Sequence, residues 1–211
     1  MRQNPRRSRP LPPDAARTMI GGIILAAGSS RRFGDDKRKQ SLDGARTVLE
    51  QTILNASEAL DAVIVTLRAD DQPFARALQE RLDVPNGRWF CAPDSALGMA
   101  HSLAGAIGEV YEWEAAMVIL GDMPFVKPRT LAALERTYRR HQSDRPIIMP
   151  AHKGKAGHPV LFDHTYFDEI AALSGDVGAR SVVSAHKTSV MTVEVDDLGI
   201  FRDIDTPSDL A

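Results

Sequence analysis

Cysteine is almost missing from this chain of 211 residues, which holds only Cys91. No intrachain disulfide can form, and no cysteine cluster can bind zinc. No apolar run reaches the roughly 18 residues that a hydrophobic membrane helix needs. No apolar stretch follows the basic amino-terminal residues, so no secretory signal is indicated. Charge of one sign is not in excess either: 26 basic and 28 acidic residues leave a net charge of −2. That balance gives no general electrostatic case for nucleic acid or a membrane surface as partner. What is present, 43% hydrophobic and 26% charged residues, is ordinary for a globular protein long enough to bury a core. A soluble, cytoplasmic protein is the expectation.

Residues 1–18 differ from the rest, with five arginines, four prolines and one acid, Asp14. This segment carries +4 against −2 for the whole chain, so residues 19–211 carry −6. With proline blocking helix and sheet and almost nothing apolar to pack, it reads as a disordered tail or as residues upstream of a true start at Met19. A nucleic-acid-binding or targeting arm is the minor alternative. Residues 19–211 read as one domain. IGGIILAA (20–27), AVIVTL (62–67) and AAMVIL (115–120) are short apolar runs of buried-strand length. RWFCA (88–92), RPIIMP (145–150), HPVLF (158–162) and SVMTVEV (189–195) are further strand candidates. Helical stripes lie between them at 47–60, around Phe74–Leu78–Leu82, at 98–111, around Leu131–Leu134–Tyr138, and within 164–186. Thr47 and Glu50 have capping-box spacing. The alternation predicts an α/β fold, a mostly parallel sheet with helices on both faces, and a ligand site beyond the carboxyl ends of the strands.

The first strand runs into AAGSSRRFGDDK (26–37). Glycine at 28 and 34, two serines and three cations suit a triphosphate, through backbone amides and charge. A solvated loop is the bland alternative, since neither the P-loop pattern nor the G-x-G-x-x-G fingerprint is present. VILGDMPF (118–125) ends an apolar strand at a glycine turn and sets Asp122 at the same edge of the sheet. A hard carboxylate beside a triphosphate is a natural magnesium ligand; a lone turn-forming aspartate is the alternative. RDIDTPSDL (202–210) supplies Asp203, Asp205 and Asp209.

LAAGSSRRFGDDK, with Gly44 seven residues beyond Lys37 and TVLE after it, resembles the opening signature of the nucleotidyltransferase superfamily. That resemblance implies a Rossmann-like, three-layer α/β/α fold of the nucleotide-diphospho-sugar transferase type. It implies that Leu25, Ala26, Ala27, Gly28 and Ser30 form the nucleotide loop and that Arg32 and Lys37 contact the phosphates. Lys39 competes with Lys37, whose spacing to Gly44 is the better match. PDSALGMAHSL (93–103) is similar to a second family segment, with Ala92 in place of its leading asparagine; it brings Gly98 and Ser102 to the nucleotide. By the same resemblance GDMP makes Asp122 a catalytic Mg²⁺ ligand, and DIDTPSD makes Asp205 the second, with Asp203 as substitute. Asp209 is the expected cap of the last helical turn.

GKAGHPVLF (154–162) and SGDVGAR (174–180) are similar to segments of the molybdenum cofactor cytidylyltransferase branch. The H-D-A-A-R-P motif of the CDP-methylerythritol branch is absent. AAG at 26–28 resembles the cytidylyl enzymes rather than the AGG of guanylyl enzymes. The resemblance therefore implies CTP and a molybdopterin-type acceptor as substrates, with His158, Asp176 and Arg180 on the acceptor side and an apo molybdenum hydroxylase as the recipient. Lys153 and Lys155 either meet an anionic substrate or keep a loop soluble. Transfer to a sugar or polyol phosphate, or a non-catalytic carrier or maturation factor, are the alternatives.

Overall fold

A computed structural model describes residues 18–28, 33–42, 44–175 and 178–210. Its frame is an eight-stranded sheet. The strands are β1 (Ile20–Leu25), β2 (Ala62–Arg68), β3 (Gly87–Ala92), β4 (Ala115–Leu120), β5 (Ile147–His152), β6 (Lys155–Ala156), β7 (Val160–Asp163) and β8 (Val190–Glu194). They lie in the order β3-β2-β1-β4-β7-β5-β6, and β8 pairs with β5. The pairs β1–β2, β1–β4, β2–β3 and β5–β8 are parallel. Strand β7 is antiparallel to both β4 and β5. No helix intervenes between β5 and β7, only the turn at Lys153–Gly154 and the two residues of β6. Such a connection is too short for a parallel crossover. The expected mostly parallel sheet is present, with β7 and the two-residue β6, itself antiparallel to β5, running against it.

Among the described residues six α-helices cover the sheet: α1 (Val48–Ala59), α2 (Gln72–Arg81), α3 (Met99–Glu109), α4 (Pro128–His141), α5 (Phe167–Ala171) and α6 (Arg180–Ala185). Helix α1 starts at the capping box read from the sequence. The Thr47 N–H donates to Glu50 Oε2 at 2.9 Å, and the Glu50 N–H donates to Thr47 Oγ1 at 3.3 Å. Side chains alternate across β1, so Ile20 and Ile24 enter one core with α1, α2 and α4, while Ile23 and Leu25 enter another with α3, α5 and α6. These are the three layers, and each fully buried Ile or Leu contributes roughly 1.5–3 kcal/mol to holding them. No helix among the described residues is long and apolar enough to cross a membrane.

Some bounds differ from the sequence reading. Strand β1 ends at Leu25, and the residues beyond it leave the sheet. Strand β5 runs past Pro150 to His152, because Pro150 presents its carbonyl to the Gly157 N–H, where no donor of its own is needed. The tail expected over residues 1–18 lies outside the described residues except for Thr18. Register places Leu25 of β1 opposite both Thr66 of β2 and Leu120 of β4. The loops that follow these three parallel strands therefore leave side by side.

Candidate active site

Strand β4 delivers Asp122 to this edge. Gly121 turns the chain against the first loop, its N–H donating to the Leu25 carbonyl at 2.9 Å. A Cβ at this position would fall 2.9 Å from the Leu25 oxygen and 3.0 Å from the Ala26 Cβ, so only glycine fits. Met123 packs into the core. Helix α1 fastens the turn from below: Thr52 Oγ1 donates to the Gly121 carbonyl at 3.3 Å, and Asn55 Nδ2 donates to the carbonyls of Pro124 and Val126, both at 2.9 Å.

The carboxyl-terminal segment brings a second carboxylate. The Ile204 N–H donates to the Asp122 carbonyl at 2.9 Å. The Ile204 side chain is buried against Phe33 and Val48. Asp205 follows, and Asp209 closes the turn beyond it, accepting from the N–H groups of Asp205 at 3.0 Å and Thr206 at 2.7 Å. Those bonds, led by the Thr206 N–H, hold the Asp209 carboxyl below the usual range. It thus caps the start of the short 3-10 turn Pro207–Leu210, the last helical turn among the described residues, as expected.

Lys37 joins the two acids. Its ammonium donates to Asp122 Oδ2 at 2.6 Å and to Asp205 Oδ1 at 3.1 Å. Burial lowers the Lys37 pKa, but hydrogen bonds and charge from Asp122 and then Asp205 outweigh it and raise the pKa above its ordinary value. The other Asp122 oxygen, Oδ1, is buried with no hydrogen-bond partner among the described residues. Lys39 points elsewhere: it is half exposed, 3.7 Å from Asp36, with its ammonium over the Phe74 ring. Asp203 is exposed.

A group of charged residues that sequence reasoning missed fixes Lys37 in place. Arg38, next in the 3-10 turn Lys37–Lys39, is only 3% exposed. Its guanidinium pairs with Asp36 at 2.7 Å and with Asp71, and donates to the Ala26 carbonyl at 2.8 Å. Burial opposes its charge, yet the hydrogen bonds it donates to Asp36 and Asp71 raise its pKa further. Arg68 Nε donates to the Gly28 carbonyl at 3.1 Å, and the Ala26 N–H donates to Thr66 at 2.8 Å. The described part of the loop after β1 is therefore clamped by two arginines and a strand. Asp71 precedes α2 after a wholly different strand, so nothing local to the KRK triplet announces the pairing.

The remaining predicted residues divide. Leu25 and Ala26 are buried, with the Leu25 carbonyl held by Gly121 and the N–H and carbonyl of Ala26 by Thr66 and Arg38; Ala27 is half-buried and Gly28 exposed. Gly98 opens α3 with φ at 123°, a conformation that favours glycine. Ser102, on the first turns of α3, is 2% exposed, and its hydroxyl is buried without a partner, as is that of Thr66. The Ala100 N–H donates to the Gly175 carbonyl at 3.1 Å, bringing the loop before α6 onto the start of α3. Arg180, at the start of α6, is exposed. His158 is fixed by its N–H to the Ile200 carbonyl at 3.0 Å, and its Nδ1 is buried and unpartnered. Burial holds the imidazole below its ordinary pKa, against the upward pull of Asp122 and Asp203. Lys155 lies over the Phe201 ring, and the Lys153 N–H donates to Glu194 at 3.1 Å. Ser30, Arg32 and Asp176 lie outside the described residues.

Among the described residues no group of three or more His, Cys, Asp or Glu is arranged to hold a metal ion. Two carboxylates converging on one cation, one of them with a spare buried oxygen, form a partial shell of hard oxygens. Such a shell suits a cation that takes its other ligands from water and phosphate.

Residues 22–190 match the model of the MobA-like NTP transferase domain. The chain belongs to that family and is a nucleotidyltransferase. Over 199 residues it is 27% identical to the purine catabolism protein PucB of Bacillus subtilis strain 168, covering 89% of this chain and 92% of that one. It is 34% identical over 120 residues to a probable molybdenum cofactor guanylyltransferase of Chloroflexus aggregans, covering 55% of this chain and 52% of the relative. The crystal structure of Rv0371c from Mycobacterium tuberculosis H37Rv superposes with a TM-score of 0.73 at 30% identity, over 91% of this chain and 95% of that one. A second structure of that protein, in complex with manganese, gives a TM-score of 0.70 at 28% identity over 91% and 96%.

Proposed function

We propose that this chain joins CMP from CTP to the terminal phosphate of a molybdopterin-type acceptor, with magnesium, and releases pyrophosphate. The observation that carries the reading is the convergence of Asp122 and Asp205 on one cation at the strand ends, beside the clamped loop. An oxygen of the acceptor phosphate forms a bond to the α-phosphorus of the nucleotide. The bond from that phosphorus to the bridging oxygen breaks, and pyrophosphate leaves with the electron pair. No covalent intermediate on the protein is required, so the chain's work is alignment and charge neutralisation.

Asp122 and Asp205 would hold Mg²⁺, which supplies charge stabilisation to phosphate oxygens. The unpartnered Oδ1 of Asp122 supports that fit, as does the manganese in the mycobacterial relative. Lys37 and Arg32 offset charge on the β- and γ-phosphates. The backbone of Leu25–Gly28 with Ser30 cradles the nucleotide, and Gly98 and Ser102 meet it from α3. His158, Asp176 and Arg180 receive the acceptor; the buried, unpartnered Nδ1 of His158 favours a ligand contact there. An apo molybdenum hydroxylase is the recipient of the product.

Ala27 favours the pyrimidine by adding a methyl group that narrows the pocket. The second reading is guanylyl transfer, favoured by the name of the Chloroflexus relative. Pyrophosphate release measured with each of the four ribonucleoside triphosphates, with and without molybdenum cofactor, separates them. CTP turnover that needs the cofactor is expected. Turnover with GTP alone moves the reading to the guanylyl reaction, and turnover with none of the four removes it.

A further inference from the structure

Lys37 stands where a divalent cation would stand. Its ammonium touches one oxygen of each of the two carboxylates that the proposed function assigns to the metal, at 2.6 and 3.1 Å. The lysine side chain is 15% exposed, and Arg38 anchors the turn that carries it. We infer that Lys37 is an internal counterion that competes with the divalent metal for Asp122 and Asp205, so that metal and nucleotide bind synergistically. This inference rests on the reading of those two acids as the metal site.

The reasoning is electrostatic. Without nucleotide, the metal must turn the ammonium out of two charge-assisted hydrogen bonds, with no anion to receive it. When a triphosphate is present, the displaced ammonium passes to phosphate oxygens and its charge stays paired. The same displacement is thus unfavourable in the binary complex and matched in the ternary one. Coupling of this kind is reciprocal: whatever factor the nucleotide adds to metal affinity, the metal adds to nucleotide affinity. One consequence is that the free protein keeps its two acids neutralised and ignores metal until substrate arrives. A second is that Lys37 changes partner during the cycle, from carboxylates to phosphate. Lys39 cannot play this part, because its ammonium lies over Phe74 and beside Asp36.

The test is Mn²⁺ titration of the full chain without nucleotide, read by the paramagnetic signal of the free ion. Lys37→Met is expected to tighten Mn²⁺ binding about tenfold or more, a typical size for such coupling. Lys37→Gln serves the same purpose should the methionine variant fail to fold. Lys39→Met removes an equal charge from a neighbouring exposed position and is expected to leave Mn²⁺ affinity close to that of the wild type. Equal tightening by Lys39→Met would show a general charge effect and overturn the inference. Protein-bound Mn²⁺ is then followed by water-proton relaxation with CTP or GTP added. If a ternary complex forms but neither Lys37 variant binds Mn²⁺ more tightly alone, the competition is refuted and the metal site stands. If no protein-bound Mn²⁺ is detected in any state, the assignment of Asp122 and Asp205 falls, and the competition with it.

Discussion

The main-chain N–H of Ile204 donates to the carbonyl oxygen of Asp122 at 2.9 Å. This one bond ties the last segment of the chain to the turn after β4. Because Ile204 is buried, its neighbours in an extended segment point the other way, and Asp205 meets Lys37 beside Asp122. The two acids are thus placed by backbone pairing and packing rather than by attraction for each other, which as like charges they lack.

Ile204→Ala should therefore loosen both stability and the site. Removing the buried side chain, 1% exposed, is expected to cost about 2–5 kcal/mol in a urea titration. Activity measured under conditions where the variant remains folded should also fall, since Asp205 loses its support. Unchanged turnover in a destabilised variant would separate Asp205 from the chemistry.

Asp122→Asn keeps the shape of the side chain and removes its charge. The fold is expected to persist, because the turn is held by Thr52, Asn55 and Ile204 through backbone carbonyls. Turnover should fall by about 10²–10³-fold, the usual loss for one preorganised electrostatic contact. Circular dichroism with pyrophosphate release checks both halves, and full activity with divalent metal would contradict the assignment.

How much of this was legible beforehand depends on distance along the chain. Asp122 could be read because one uninterrupted apolar run ends at Leu120 just before it and because GDMP resembles the family motif. The strands β1, β2 and β4 were visible for the same reason, being buried on both faces. The reversal of β7 was not visible, since a short apolar run does not state its direction. Arg38 and Asp71 are 33 residues apart, so nothing in the sequence around Arg38 pointed to that partner. Only the folded chain shows that Lys37 turns to the acids, Arg38 inward and Lys39 to the surface. Ser30, Arg32 and Asp176 rest on the family resemblance alone.

The Arg38 clamp predicts a separable effect on nucleotide affinity. Arg38→Met takes the buried guanidinium from both acids, leaving Asp36 the longer contacts to Lys39 at 3.7 Å and Arg68 at 3.8 Å and Asp71 the Arg68 N–H at 3.0 Å; breaking a buried pair costs at most about 3–5 kcal/mol. Asp71→Asn is the milder change, because Arg38 keeps Asp36 and the Ala26 carbonyl. In that variant the KM for nucleotide should rise more than kcat falls, since the loop is displaced while Asp122 and Asp205 are not. An equal loss in both would place Asp71 outside loop positioning.

His158 predicts a pH dependence of stability. Burial holds its imidazole below the ordinary value near 6.5, even with Asp122 and Asp203 pulling the other way. The folded chain thus favours the neutral ring. Above about pH 6.5 folded and unfolded chains are both neutral at this position, and it contributes nothing to the pH dependence. As pH falls below that value the unfolded chain takes up the proton first, so stability declines until the folded-state pKa is passed, then levels off. Urea midpoints compared at roughly pH 7.5 and 5 should fall further for the wild type than for His158→Gln, which has no proton to gain. An imidazole resonance followed by NMR should titrate below 6.5; titration at or above that value would show that the carboxylates, not burial, set the charge of this ring.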